Sequence, residues 1–172
     1  GTDMAAGKMT VGLELYSYLI EKKINTGFVA TGQVGITVTG RGIPLDAYKL
    51  DHACGAVETA VVEQKDKDII IVEGQGSILH PGSTATLPLM RGTCPTHMIL
   101  CHIARNTSIR SLDKIKIPDL KKFIELNENL ASVIGTYPKA KVVGVALNTN
   151  LMSQEDAESY IEIVKTETGI PV

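Results

Sequence analysis

Gly1-Thr2-Asp3-Met4-Ala5-Ala6-Gly7-Lys8-Met9-Thr10 joins a glycine-bounded loop to a lysine and then to Val11, Leu15 and Leu19 at helical spacing. That order of residue types suits a phosphate. Backbone N–H groups of such a loop turn inward towards phosphate oxygens, the following helix offers its positive end, and the lysine neutralises charge further along the phosphate chain. Gly1, Thr2, Asp3, Gly7, Lys8, Met9 and Thr10 are therefore the expected phosphate-binding residues. Met9 stands where the hydroxyl residue that holds magnesium usually follows the lysine, and Thr10 lies about 100° further around a helix. The cradle suits a phosphate that is held rather than one that is cleaved with a metal. The loop has no strand ahead of it in this sequence, and Gly169 reads as a helix stop before Ile170-Pro171-Val172. A piece of a longer protein, lacking its first strand, is the expectation.

Four further side chains have types suited to catalysis or anion binding. Glu73 follows the apolar run Ile69-Ile70-Ile71-Val72 and lands on Gly74-Gln75-Gly76, where a carboxylate needs a cation, a donor or a proton. It is the first candidate for a general acid or base, with hydrogen bonding to neighbouring glycine N–H groups as its structural alternative. His80, before Pro81 in a polar loop, is the second candidate base. Arg91 and Arg105 each follow an apolar segment and are candidates to clamp a substrate carboxylate or a phosphate, or to form surface ion pairs. Asp46, Asp51 and Glu58 read better as a solvated face. Cys94-Pro95-Thr96-His97 and Cys101-His102 raise a metal site, but a strand over this stretch sends Cys101 and His102 to opposite faces, and no metal ligand is assigned.

These residues need elements to position them, and apolar runs alternating with helical periodicity predict a mostly parallel sheet between helices. The fold expected is a P-loop NTPase-like, three-layer α/β/α domain. Helix 8–22 precedes strand 26–31, a glycine-rich stretch through Gly42, and a helix from about Asp51 bearing Ala53, Val57, Ala60 and Val61. Strand 69–72 reads as covered on both faces. Strand 98–101, a helix with Pro118 in its first turn and Leu120, Phe123 and Ile124 on its face, strand 142–147 and a helix capped by Ser153 and Asp156 complete the series. Ligands of open α/β sheets bind beyond the carboxyl ends of the strands. That rule selects Gln33 for substrate, Glu73, His102, and Asn148 for the cofactor.

At 172 residues the chain fits one domain, and 44% hydrophobic against 4% aromatic residues implies an aliphatic core. A formal charge of -2 gives no electrostatic footprint for nucleic acid. No apolar run reaches the roughly 20 residues that cross a bilayer, and three cysteines form no paired framework. A cytoplasmic protein without nucleic-acid or membrane partners is expected.

Gly1-Thr2-Asp3 with Gly7-Lys8-Met9-Thr10, Ala30-Thr31-Gly32-Gln33-x-Gly35-Ile36, Gly42-Ile43-Pro44-Leu45-Asp46-Ala47, Val72-Glu73-Gly74-Gln75-Gly76-Ser77-x-x-His80-Pro81 and Ala146-Leu147-Asn148-Thr149 follow one another in order. Together they resemble the C-terminal domain of the DgcN-like family, over nearly the whole chain. The resemblance implies D-glutamate N-acetyltransferase chemistry, acetyl-CoA as the phosphate ligand, an acidic D-amino acid as substrate, and a Rossmann-like domain upstream. More distantly, Gly-Thr-Asp and Val-Glu-Gly resemble dethiobiotin synthetase, an ATP- and magnesium-dependent ligase, from which Met9 departs. Acetyl transfer to an amine needs a base for the proton and donors for the oxyanion; Glu73 or His80 and the backbone of 74–77 are the candidates. The expected partners are a small amino-acid substrate and further copies of the chain in a homo-oligomer. The alternatives are an ATP-dependent ligase and a nucleotide-binding domain without turnover.

Overall fold

The computed structural model describes all 172 residues, which divide into two compact units. One comprises Lys8–Gly76 and Gly82–Thr93; the other comprises Gly1–Gly7, Ser77–Pro81 and Cys94–Val172. Each has a parallel main strand pair accompanied by helices, and the chain is accordingly a mixed α/β fold of mostly parallel sheets flanked by helices, consistent with a P-loop NTPase-like arrangement.

The first unit opens with α1 (Lys8–Glu21) and β1 (Thr26–Val29), followed by α2 (Gln33–Thr39), a 3-10 turn (Leu45–Ala47), α3 (Leu50–Val62), β2 (Ile69–Val72) and α4 (Thr86–Thr93). Strands β1 and β2 pair in parallel from Thr26↔Ile69 to Val29↔Val72. The pairing stops two residues before the expected end at Thr31, because the Ala30-Thr31 backbone turns to other partners: Ala30 O accepts from Ile43 N, and Thr31 N turns to Glu73. Gln64 closes the side of β1 that β2 does not, accepting from Phe28 N at 3.0 Å and donating to Phe28 O at 3.1 Å. Its side-chain amide does the work of a short strand. Leu45, Ala53, Val57 and Leu89 form the buried cluster, with Val61 and Val72 packed against it. Strand β2 is less covered than its unbroken apolar run implied, since Ile69 is exposed and the next three residues are half-buried.

Two helices here lack a clear sequence signal. Helix α2 is seven residues of Gln-Val-Gly-Ile-Thr-Val-Thr, too short and too β-branched for periodicity to reveal, and Gly40 ends it in the left-handed conformation with its N–H on Ile36 O. Helix α4 tolerates Pro88 because a proline in the first turn removes an N–H that has no partner within the helix.

The second unit contains β3 (His97–Ile103), the hairpin β4 (Ser108–Ile109) and β5 (Leu112–Lys116), α5 (Leu120–Ser132), β6 (Lys141–Asn148) and α6 (Gln154–Thr168). Strand β3 pairs in parallel with β6 from His97↔Lys141 to Ile103↔Asn148, with a bulge at Met98/Ile99. His102 and Asn148 thus lie inside strands, where the sequence placed them just beyond. Leu100, Leu120, Phe123, Val142, Val145 and Val164 make this unit's core. Asp119 caps α5 by accepting from Lys122 N at 3.0 Å, which puts Pro118 before the cap and outside the first turn. Ser153 caps α6 by accepting from Asp156 N, and Gly169 closes it at φ 73°. Pro171 O then accepts from Val145 N at 2.9 Å, although Ile170-Pro171-Val172 forms no strand. No helix is long and apolar enough to cross a membrane.

Candidate functional site

In the first unit the chemistry gathers at the end of β2. Glu73 continues the ladder through its N–H to Val29 O, and its side chain is buried to 6% exposure. Its Oε2 accepts from Thr31 N at 3.0 Å and Gly32 N at 3.3 Å, while Thr31 Oγ1 donates to the Glu73 carbonyl at 2.9 Å. The carboxylate therefore rests at the amino end of α2, where backbone donors and the helix dipole favour negative charge. A β-carbon at Gly35 would run into this carboxylate, so only glycine lets the first turn of α2 approach it. Both hydrogen bonds fall on Oε2, leaving Oε1 as the oxygen available to a further donor.

Lys8, the first residue of α1, lays its aliphatic stem against Gly74. A β-carbon there would stand 3.1 Å from Lys8 Cδ. The Lys8 stem thus lies against the residue that follows Glu73 at the strand end. Met9 is half-buried and Thr10 exposed on the same turn of α1. Gln33, the first residue of α2, is exposed and donates to Asp46 Oδ2 at 3.0 Å. Arg91 sits on α4. Asp51 and Glu58 are exposed on α3, the solvated face expected of them.

The remaining candidates belong to the second unit. Gly7 has φ 94°, a left-handed conformation suited to glycine, and open space where a β-carbon would point. Gly1 is half-buried, whereas Thr2 and Asp3 are almost wholly buried. Thr2 N donates to Cys101 O at 3.0 Å, and Thr2 Oγ1 lies 2.9 Å from His102 Nδ1. Asp3 Oδ1 accepts from Met4 N at 2.6 Å and Oδ2 from Arg110 N at 2.8 Å. Thr2 and Asp3 accordingly shape the loop from behind.

His102 is the residue that sequence reasoning undervalued. It is buried to 2% exposure, and that burial lowers its pKa from 6.5 to about 4, so the imidazole is neutral near pH 7. Thr2 and His102 lie 100 residues apart, and no local pattern in either segment signals the pairing. Asn148 ends β6, receiving Ala104 N on its carbonyl and Asn150 N on Oδ1. His80 N donates to Ser77 O in the turn before Pro81; His80 and Glu73 thus fall in different units. Arg105 takes the ion-pair alternative, with Nη2 2.7 Å from Asp156 Oδ1 in an exposed salt bridge. Hydrogen bonds from Arg105 and Ser153 hold the Asp156 carboxyl below the usual carboxylate range.

The model of the family described as a domain of unknown function, the DUF1611 C-terminal P-loop domain, matches residues 1–172. The chain belongs to this family. A crystal structure of a DUF1611 family protein from Anabaena variabilis superposes with a TM-score of 0.97 at 44% identity, over 100% of this chain and 50% of that one. Proteins named D-glutamate N-acetyltransferase from a Pseudoalteromonas species and from Tritonibacter scottomollicae are each 34% identical over 99% of this chain. The DUF1611 domain described here spans 51% of each of those two relatives. The DgcN-like resemblance read from the five ordered motifs and this family assignment agree.

Proposed function

We propose that this DUF1611 domain holds the phosphates of acetyl-CoA and serves the transfer of an acetyl group to the amine of an acidic amino acid such as D-glutamate. The observation that carries the reading is the meeting of the Lys8 stem with Gly74, next to the buried carboxylate of Glu73. Support comes from a lysine stem and a buried carboxylate belonging to one strand end, where open α/β sheets take their ligands. The names of the two relatives support the acetyl donor and the acidic substrate.

The residues present fit a phosphate-bearing cofactor. Gly7 leaves open space beside its backbone, the first turn of α1 has backbone donors at its amino end, and Lys8 offsets phosphate charge. Gly1, Thr2, Asp3, Met9, Thr10 and Asn148 complete the proposed cofactor set, Thr2 and Asp3 by shaping the loop. Acetyl-CoA supplies, when bound, an acyl group activated as a thioester. Glu73 accepts the amine proton on Oε1 while Oε2 stays with Thr31 and Gly32. Arg91 and Gln33 hold the substrate carboxylates, a role for which Arg105 would have to leave Asp156. His80 is the alternative base. The reading extends to a cytoplasmic homo-oligomer, whose oligomeric state light scattering of the purified protein checks.

Met9 in place of a hydroxyl residue favours acetyl-CoA over Mg-ATP, since a pyrophosphate that is only held needs no metal positioned for its cleavage. Calorimetric titration of the full-length protein with acetyl-CoA and with Mg-ATP, each repeated with EDTA, tests this. Acetyl-CoA binding and acetyl transfer that persist in EDTA are expected. Strict magnesium dependence with ADP release would transfer the assignment to an ATP-dependent ligase.

A further inference from the structure

We propose that Arg110 is a phosphate-binding residue that the Gly1–Gly7 loop carries with it through Asp3. Arg110 and Ser111 form the two-residue turn between β4 and β5, where Ile109 pairs with Leu112. Ser111 takes φ 64°, and Ile109 is fully buried, so the hairpin is seated and its turn is tight. Asp3, at 3% exposure, puts Oδ2 on the Arg110 N–H at 2.8 Å. A buried carboxylate is costly unless donors meet it, so this bond ties the turn to the loop. Thr2, one residue earlier, is pinned by Cys101 and His102. Loop and turn thus form one anchored piece within the second unit.

The Arg110 side chain is exposed, and no carboxylate lies within ion-pair distance of it. Arg105 is the contrast, being bound to Asp156 at 2.7 Å. A guanidinium without an acidic partner, on a tight turn whose backbone is bonded to the phosphate loop, has the fork of donors that bidentate contact with phosphate oxygens requires. The ligand is the phosphate group of whatever the loop holds. The inference therefore rests on the phosphate-binding reading above, and applies equally to the phosphates of coenzyme A and of a nucleotide.

The test is titration of the full-length protein with acetyl-CoA, acetyl-dephospho-CoA, ATP and inorganic pyrophosphate, in the wild type and in Arg110→Ala, Arg110→Lys, Arg105→Ala and Lys8→Ala. Arg110→Ala should weaken binding of the preferred ligand about tenfold to a hundredfold, Arg110→Lys should restore part of it, and Arg105→Ala should change nothing. A loss with acetyl-CoA but not with acetyl-dephospho-CoA locates the contact at the 3′-phosphate, and a loss with both locates it at the pyrophosphate. Either supports the proposal. Unchanged affinity in Arg110→Ala alongside a loss in Lys8→Ala overturns the role of Arg110 and leaves the phosphate loop standing. A wild type that binds none of the four ligands overturns both.

Discussion

Each parallel strand pair carries a buried titratable side chain at its carboxyl end, and the two are held in opposite ways. Glu73, following β2, is met by the backbone N–H groups of Thr31 and Gly32 at the start of α2. His102, near the end of β3, is paired through Nδ1 with one hydroxyl, that of Thr2, and is kept neutral by burial. A carboxylate can be buried only where donors replace water, whereas a neutral imidazole needs a single polar partner. The same address in the fold therefore holds a carboxylate met by backbone donors in one unit and a neutral imidazole paired with the loop hydroxyl of Thr2 in the other.

Glu73→Gln keeps the shape and removes the charge, and it should have the largest effect. If Glu73 is the base, acetyl transfer should fall by about 10² to 10⁴ with acetyl-CoA affinity little changed, as steady-state kinetics beside calorimetry would read. Full activity in Glu73→Gln, with loss in His80→Ala, would move the base to the other unit.

His102 should reveal itself in stability. Its pKa is near 4 when folded and near 6.5 when exposed, so between those values the unfolded chain binds a proton that the folded chain refuses. Its contribution is complete above pH 6.5 and is lost as pH falls towards 4, a total of about 3 kcal/mol at 1.36 kcal/mol per pKa unit. Urea midpoints measured from pH 7 to pH 4 should drop steeply in the wild type and less steeply in His102→Gln. Parallel curves would mean that the imidazole is charged in the fold.

Lys8→Ala should cost about 1.5 to 3 kcal/mol in acetyl-CoA affinity, the range for charged hydrogen bonds, with little change in melting temperature. An unchanged dissociation constant in the folded variant removes Lys8 from the cradle. The smallest effect separates the two arginines singled out by sequence. Arg91→Ala should raise the KM for the amino-acid substrate, while Arg105→Ala, which breaks only an exposed ion pair, should leave kcat and KM unchanged. Equal increases in KM would show that Arg105 leaves Asp156 for substrate.

Legibility followed the range of the interactions. Strand β2 was found at its observed ends, and the caps of α6 at Ser153 and Gly169 were read correctly, because an apolar run and a cap are local signals. Helix α2 and the β4–β5 hairpin escaped. The hairpin turn is Arg-Ser, without the glycine or asparagine that marks a left-handed position, and Ser111 adopts it within a seated hairpin. Arg91 and Arg105 looked alike in sequence, each following an apolar segment, and only the fold brought Asp156 to Arg105 across 51 residues.

By itself the sequence determined the α/β alternation, the glycine-bounded loop running into Lys8 and the apolar approach to Glu73, since each rests on residues adjacent along the chain. Tertiary structure alone decided which groups meet: Glu73 with Thr31 and Gly32, Thr2 with His102, Asp3 with the Arg110 N–H. The physical reason is that a buried polar group must be satisfied by whatever donor or acceptor the packing brings within about 3 Å, and separation along the chain places no limit on that partner.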